Sequence, residues 1–505
     1  RETEYDKNGI LRSITRIDPG NSPHTTRYSY DAKWRLSKEE GNDHVYSYSY
    51  DEYGRLASKS FSTRERPEVC LSTRLTYGDG HLVTHKTSCF TGVDAPITET
   101  IEYRNTWPVS RWLNDSLVWH LEKQDHWENP TRVSDHLAVT TRTFDDYGHM
   151  LSLDRNGRAP LHESYTYDIR TGNMLSKNGR SLLYDSMGRL KEWDGQELSY
   201  DSKGNITAMP SVGNYTYQGY RLTSTEITNL ELDVDDSLRV SYLNSIERPN
   251  RIENSRYRAD FLYDADGNRL LMKVYRKQGG THFPYFTRYY LGDNAEVTKE
   301  ENDFCNYLYY AGDDCYTAPA VLHLNEDGYG SICQIARDNL GSALQYEDKY
   351  GSPSRNYFSP WGVRRHGGDG GSLYSPGERP ALGYFHRTFT GHEDLWMFGL
   401  INANARLYDP YSGRFLSPDP LLNSEGGPLL YNPYVYANNN PCRYIDRNGE
   451  FWWIALAAVL AGGFNVMKNI DDISSAGDFF KYFGIGAVAG AAGAAAAPCV
   501  VSALG

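Results

Sequence analysis

The chain has 505 residues, 41 of them Tyr and 46 Gly, with only 39% hydrophobic residues. This length allows several domains, and the balance favours many short strands and turns over packed amphipathic helices. A formal charge of −13 argues against nucleic-acid binding by the body of the protein, because neutralising phosphates needs a basic surface.

The chain opens at Arg1-Glu2-Thr3-Glu4 and runs directly into a repeat at Tyr5-Asp6. No signal peptide precedes it, so an upstream part carrying any export signal is expected. The recurring phrase is an aromatic residue and Asp, two or three residues, Gly, then a polar and an aliphatic residue. Tyr50-Asp51-Glu52-Tyr53-Gly54-Arg55-Leu56, Tyr184-Asp185-Ser186-Met187-Gly188-Arg189-Leu190 and Tyr263-Asp264-Ala265-Asp266-Gly267-Asn268-Arg269 are good copies. Looser copies begin at Tyr5, Tyr30, Phe144, Tyr167 and Tyr200, and Tyr77 begins a degenerate one. Neighbouring copies often lie about 16–27 residues apart, the length of one hairpin with its connection.

Asp opens such a turn by accepting from its own backbone two residues on, and Gly supplies the positive φ that closes the loop. Before the turns, aromatics alternate with small polar residues, as in Tyr46-Ser47-Tyr48-Ser49-Tyr50 and Tyr165-Thr166-Tyr167. Period two puts those rings on one face of a sheet. A face of Tyr rather than Leu implies partial hydration, because each phenol needs a partner.

With its copies in order, this phrase resembles the YD repeat of the Rhs family, which is shared by bacterial Rhs proteins, the C subunits of Tc toxins and the animal teneurins. The resemblance covers residues 1–300 as a YD-repeat region. It implies a mainly β fold in which a spiral sheet closes into a hollow shell.

Residues 301–450 resemble the Rhs-associated core. Arg337-Asp338-Asn339-Leu340-Gly341-Ser342, Phe358-Ser359-Pro360-Trp361-Gly362 and Phe389-Thr390-Gly391-His392-Glu393 come first. Arg406-Leu407-Tyr408-Asp409-Pro410, Gly413-Arg414-Phe415-Leu416-Ser417-Pro418-Asp419-Pro420 and Tyr431-Asn432-Pro433-Tyr434-Val435-Tyr436 follow in the family's order. In Rhs and Tc-toxin relatives this segment resembles an aspartyl self-protease that releases the downstream toxin. Two nearby carboxylates suit that reaction, since like charges raise one pKa and split the acid and base roles. The matching residues are Asp409 and Asp419, with Arg406 as the cation that holds one of them ionised. Asp-Pro pairs also simply cap turns. The family's cut-site pattern aligns with Pro441 to Glu450, with the cleavage region at Asp446, Gly449, Glu450 and Phe451. Here Arg447 stands for the second Pro and Glu450 for the Leu after which cutting occurs.

Residues 451–505 form an apolar tail, read as a short α-helical segment that begins a variable effector. Tyr482 to Gly505 is uncharged and rich in Ala and Gly, long enough to span a bilayer, with small residues at Gly486, Gly490 and Gly493 and Pro498 interrupting it. Membrane contact and storage within the shell are the two readings.

The seven Cys are scattered without paired CxxC spacing, so no metal site is expected. Cys70 with Cys89 and Cys305 with Cys315 are candidate staples, isolated thiols the alternative. No phosphate loop or hydrolase elbow appears, and no cofactor is expected. Trp107, Trp112, Trp119 and Trp127 are candidate sugar-stacking residues or sheet packing.

Two functions follow from these features. One is a secreted or cell-surface bacterial toxin carrier whose partners are its own effector segment, an immunity protein and a secretion apparatus. The other is an adhesin-like protein that binds glycans or proteins without processing.

Overall fold

A computed structural model describes residues 2–454, apart from 19–22, 79, 235–236, 244, 265–266, 303, 352, 381–384, 420–431, 448 and 450–451, with backbone alone at 452–454. The fold is mainly β. Among the described residues there is no α-helix, only short 3-10 turns such as Phe389–Gly391 and Ala437–Asn439. The expected helical tail lies outside the described residues.

Each strand pairs antiparallel with its neighbours in sequence. Glu2–Tyr5 through Gln196–Glu197 make a 19-stranded meander, and Ser199–Tyr200 through Arg221–Ile227 a four-stranded one. Arg239–Leu243 through Ser354–Arg355 make an 11-stranded sheet, followed by small sheets between Tyr357 and Ile454. Hairpins in a meander alternate between two edges, and the turns opened by Asp6, Asp31, Asp51, Asp125, Asp145, Asp168 and Asp185 share one edge.

Apart from the Asp168 turn, which is one residue longer with Gly172 at positive φ, these turns share one geometry. In the Asp185 turn, Oδ1 accepts from Met187 N at 2.9 Å and Arg189 N at 3.0 Å, while Oδ2 accepts from Arg189 Nε at 2.6 Å. The fourth residue of the turn takes positive φ, and in good copies this is Gly, as at Gly54 (φ 87°) and Gly188 (φ 79°). The clamped Arg then stacks on the Tyr of the next unit. Arg35 on Tyr50, Arg55 on Tyr77 and Arg189 on Tyr200 each lie 4.4 Å from the ring centroid. That Tyr in turn donates to the carbonyl beside the Arg: Tyr50 to Leu36 at 2.9 Å, Tyr77 to Leu56 at 2.8 Å and Tyr200 to Leu190 at 2.6 Å. These phenols are therefore satisfied by the preceding unit's backbone, not only by an aqueous interior.

The turn also occurs without its sequence signature. Asp125 accepts from Trp127 N and Asn129 N with Glu128 (φ 66°) in place of Gly. Asp338 accepts from Leu340 N at 3.0 Å and Ser342 N at 2.8 Å, so Arg337-Asp338-Asn339-Leu340-Gly341-Ser342 is built on the same turn.

The 11-stranded sheet lies between two layers. Leu271, Tyr289, Val297, Tyr309 and Leu322 pack against Phe61, Leu71, Phe90, Ile97 and Leu113 of the first meander. On its other face Met272 and Tyr290 pack against Leu395, Leu400 and Leu407, and Leu308, Tyr310 and Val321 surround Phe385. All six residues of Cys305–Tyr310 are accordingly buried, the pattern of a strand covered on both sides.

The expected closure of the sheet is not found among the described residues. The sheets are open, and among the described residues no pairing joins the first strand of a meander to its last. Neighbour-to-neighbour pairing breaks between Glu197 and Ser199 and again between Ile227 and Arg239, after which the 11-stranded sheet begins and stacks on the first. The paired-cysteine expectation is also corrected: Cys70, Cys89, Cys305 and Cys315 are free thiols. Cys70 and Cys89 lie on adjacent strands but are diagonal, opposite Ser62 and Ser72, and diagonal neighbours sit about 7–8 Å apart.

Candidate functional site

The segment that carries the predicted site is bolted onto the 11-stranded sheet by buried ions. Glu393 accepts from Arg288 Nη1 at 2.5 Å and Tyr290 Oη at 2.7 Å, and also pairs with Arg269. Burial alone would push the Glu393 carboxyl up, but Arg269 and Arg288 overcome it and hold it down at about 2. Glu296 joins His386 at 2.5 Å and Arg387 Nε at 3.0 Å, and its carboxyl likewise lies well below the usual range. Each ion is satisfied by partners from the facing layer, as buried charges require.

A second anchor holds residues 432–443 on the repeat turns. Asn432 Nδ2 donates to Asn205 Oδ1 at 2.9 Å, Asn439 Nδ2 to Gly204 O at 2.8 Å, and Asn440 Nδ2 to Gly188 O at 2.9 Å. Ala437, Asn438 and Asn439 all take positive φ (48°, 52° and 57°), a conformation Asn tolerates better than most residues. Asn440 Nδ2 also donates to Asn173 Oδ1 at 2.8 Å, so three successive repeat turns, opened by Asp168, Asp185 and Asp201, are gripped by one Asn-rich segment.

Between these anchors lies a cluster centred on Arg406, which is 3% exposed. Its Nη2 lies 3.0 Å from Asp419 Oδ2 and 3.2 Å from Asp446 Oδ2. Nη1 donates to Pro433 O at 3.2 Å, and Nε donates to Gly449 O. The guanidinium also lies over the Phe415 ring, 3.6 Å from its centroid. Asp446 is 1% exposed and accepts from Gly449 N at 2.8 Å through its other oxygen. The site therefore brings together Arg406, Asp419, Asp446 and Gly449.

Asp409 uses its carboxylate elsewhere, accepting from Tyr411 N at 2.9 Å and from Ser412 Oγ. Burial pushes its carboxyl up, against those hydrogen bonds. Glu450 and Phe451 lie outside the described residues. Arg447 keeps its backbone against the cluster, with Asn404 Nδ2 3.5 Å from its carbonyl.

His392 was not singled out by sequence. Its Nε2 bonds to Asp446 O at 2.7 Å, and burial pushes the imidazole down to about 4. Asp446 enters as a second carboxylate on Arg406 although only the cut-site alignment marks it. Its signal was indirect: an Asp in a short strand, followed within three residues by Gly.

The surface candidates are dispersed. Trp107 is 39% exposed, whereas Trp112, Trp119 and Trp127 are half-buried. Among the described residues no His, Cys, Asp and Glu cluster forms a cation site, and no helix is long and apolar enough to cross a membrane. The apolar tail lies outside the described residues.

No protein-family profile matches the chain. It is similar to the tRNA3(Ser)-specific nuclease WapA of Bacillus spizizenii, at 26% identity over 59% of this chain and 11% of that protein. Its similarity to the tRNA nuclease WapA of Bacillus subtilis is 25% over the same shares. The chain thus spans about a tenth of the length of these curated relatives. Among solved structures, TcdB2-TccC3-Cdc42 superposes over 97% of this chain and 27% of that chain, with a TM-score of 0.67 and 14% identity. The Tc holotoxin pore of Photorhabdus luminescens superposes over 90% of this chain and 26% of that chain, with a TM-score of 0.69 and 14% identity. The chain therefore shares the fold of part of a Tc toxin chain.

Proposed function

We propose that this chain is part of an Rhs-type polymorphic toxin carrier. In this reading, sheets completed by the rest of the protein enclose the segment that follows residue 450, and the Arg406 cluster is where that segment is retained or cut. The observation that carries the reading is the cluster itself: one buried guanidinium binds two carboxylates and the Gly449 carbonyl. Similarity to WapA nucleases and the fold shared with the Tc toxin chain support a toxin carrier over an adhesin. Secretion or display at the cell surface, with an immunity protein and an export apparatus as partners, belongs to the same reading.

The cluster also has the parts for peptide hydrolysis. One carboxylate takes a proton from water, whose oxygen bonds to the carbonyl carbon, and the guanidinium stabilises the negative charge that develops on the oxygen. The leaving amine needs a proton, so the second carboxyl must be protonated. With a cation bonded to both, the described arrangement favours two ionised carboxylates. It is a holding state, and Arg447 and Glu450 at the cut site point the same way.

Expressing the chain and measuring intact mass and denaturing-gel bands tests the processing arm. Fragments ending near residue 450, absent from an Asp419→Asn variant, establish self-cleavage. A single intact band in both removes it and leaves retention.

A further inference from the structure

Residues 446, 447 and 449 lie across two structural elements, the turn Thr388–His392 and the loop Ala403–Arg406. Their carbonyls meet side-chain donors in series. Asp446 O accepts from His392 Nε2 at 2.7 Å, Arg447 O faces Asn404 Nδ2 at 3.5 Å, and Gly449 O accepts from Arg406 Nε. The Gly449 amide is held as well, donating to Asp446 Oδ1 at 2.8 Å. Gly449 also presses closely on the loop: a Cβ there would come within 2.4 Å of Ala403 O and 2.9 Å of Arg406 N.

The donors are themselves fixed. His392 is 1% exposed and packs edge-on against the Tyr316 ring at 5.4 Å between centroids. Tyr316 Oη takes Asn404 Nδ2 at 2.5 Å. A neutral imidazole bonded to a carbonyl through Nε2 must carry its proton there, and burial keeps the ring neutral down to about pH 4. None of these bonds uses the Arg447 amide or side chain.

We propose that Asp446, Arg447 and Gly449 occupy a peptide-binding cradle that reads main-chain carbonyls, and that His392 is its positioning residue. This rests on the reading of 446–450 as the point of retention or processing, and it deepens that reading. The carbonyl contacts do not involve the Arg447 side chain, so Arg447 in place of the proline leaves them intact. It selects instead at Gly449, where the loop leaves no room for a side chain.

Limited tryptic digestion of the full chain, followed by mass, tests the cradle at the bond after Arg447. The bond after Arg170, whose side chain is 85% exposed, serves as the internal reference. The wild type is cut after Arg170 while Arg447 is protected. His392→Phe fills the space without donating, and is expected to raise cutting after Arg447 about tenfold relative to Arg170, the order expected for losing one buried hydrogen bond. His392→Gln, which keeps a donor, restores protection. The proposal is overturned if His392→Phe leaves Arg447 protected, if cutting after Arg170 rises equally, or if His392→Gln behaves like His392→Phe. Intact mass without trypsin reports self-processing separately, so the chain can lack self-cleavage and still protect Arg447 through His392.

Discussion

Replacing Glu393 with glutamine preserves its shape and removes its charge, leaving the Arg269 and Arg288 guanidinia facing a neutral amide. Taking away one partner of a buried ion group costs about 3–5 kcal/mol. A second route gives a similar size. The carboxyl sits at about 2 in the fold against an ordinary 4.5, a difference worth about 3 kcal/mol at 1.36 kcal/mol per pH unit. Because the folded value is the depressed one, this stabilisation is complete above about pH 5 and is lost as the pH falls through 4.5 towards 2. Urea unfolding followed by tryptophan fluorescence, on wild type and Glu393→Gln at pH 7 and pH 3, measures both quantities. The expected gap at pH 7 is about 3 kcal/mol, narrowing by about half at pH 3. A gap below about 1 kcal/mol at pH 7, or one unchanged at pH 3, refutes the assignment of Glu393 as the charged anchor.

Asn440→Ala removes donors to Gly188 O and Asn173 Oδ1 and is expected to cost about 1–3 kcal/mol. Hydrogen exchange should show new exposure at the Asp185 turn and little change at the distant Asp31 turn. Gly449→Ala meets both a positive φ of 74° and a carbonyl at 2.4 Å. It should displace the junction, seen as at least about tenfold faster exchange of the 446–449 amides; unchanged exchange would show that the loop yields.

The repeat turns were legible because their chemistry is local. An Asp, a Gly and the residues between them contain nearly all the bonds that make the turn, so Asp51 and Asp185 are visible in the sequence. Asp125 is less visible because Gln124 stands where the aromatic residue usually does and Glu128 supplies the positive φ that Gly usually supplies. The stacking of sheets was less visible. Tyr309 and Tyr310 face opposite layers, and the period-two pattern cannot say which layer, or whether a sheet closes. At the site, Arg406 and Asp419 were found through the resemblance, while the pairing with Asp446 depends on how the chain returns 40 residues later. Glu393 and Arg288 are separated by 105 positions, and no local pattern joins them. A charged residue beside a run of aromatic residues, such as Arg288 in Thr281–Tyr290, was the one available hint.

The Asp, Arg and Tyr contacts link each hairpin only to the next. Such a chain of nearest-neighbour contacts behaves as a one-dimensional lattice, with stability that accrues unit by unit. Removing one whole hairpin pair should bring a new Arg over a new Tyr and leave the ladder continuous. Inserting a single residue would turn the ring to the opposite face and break it. Length can therefore vary across such proteins only in whole quanta.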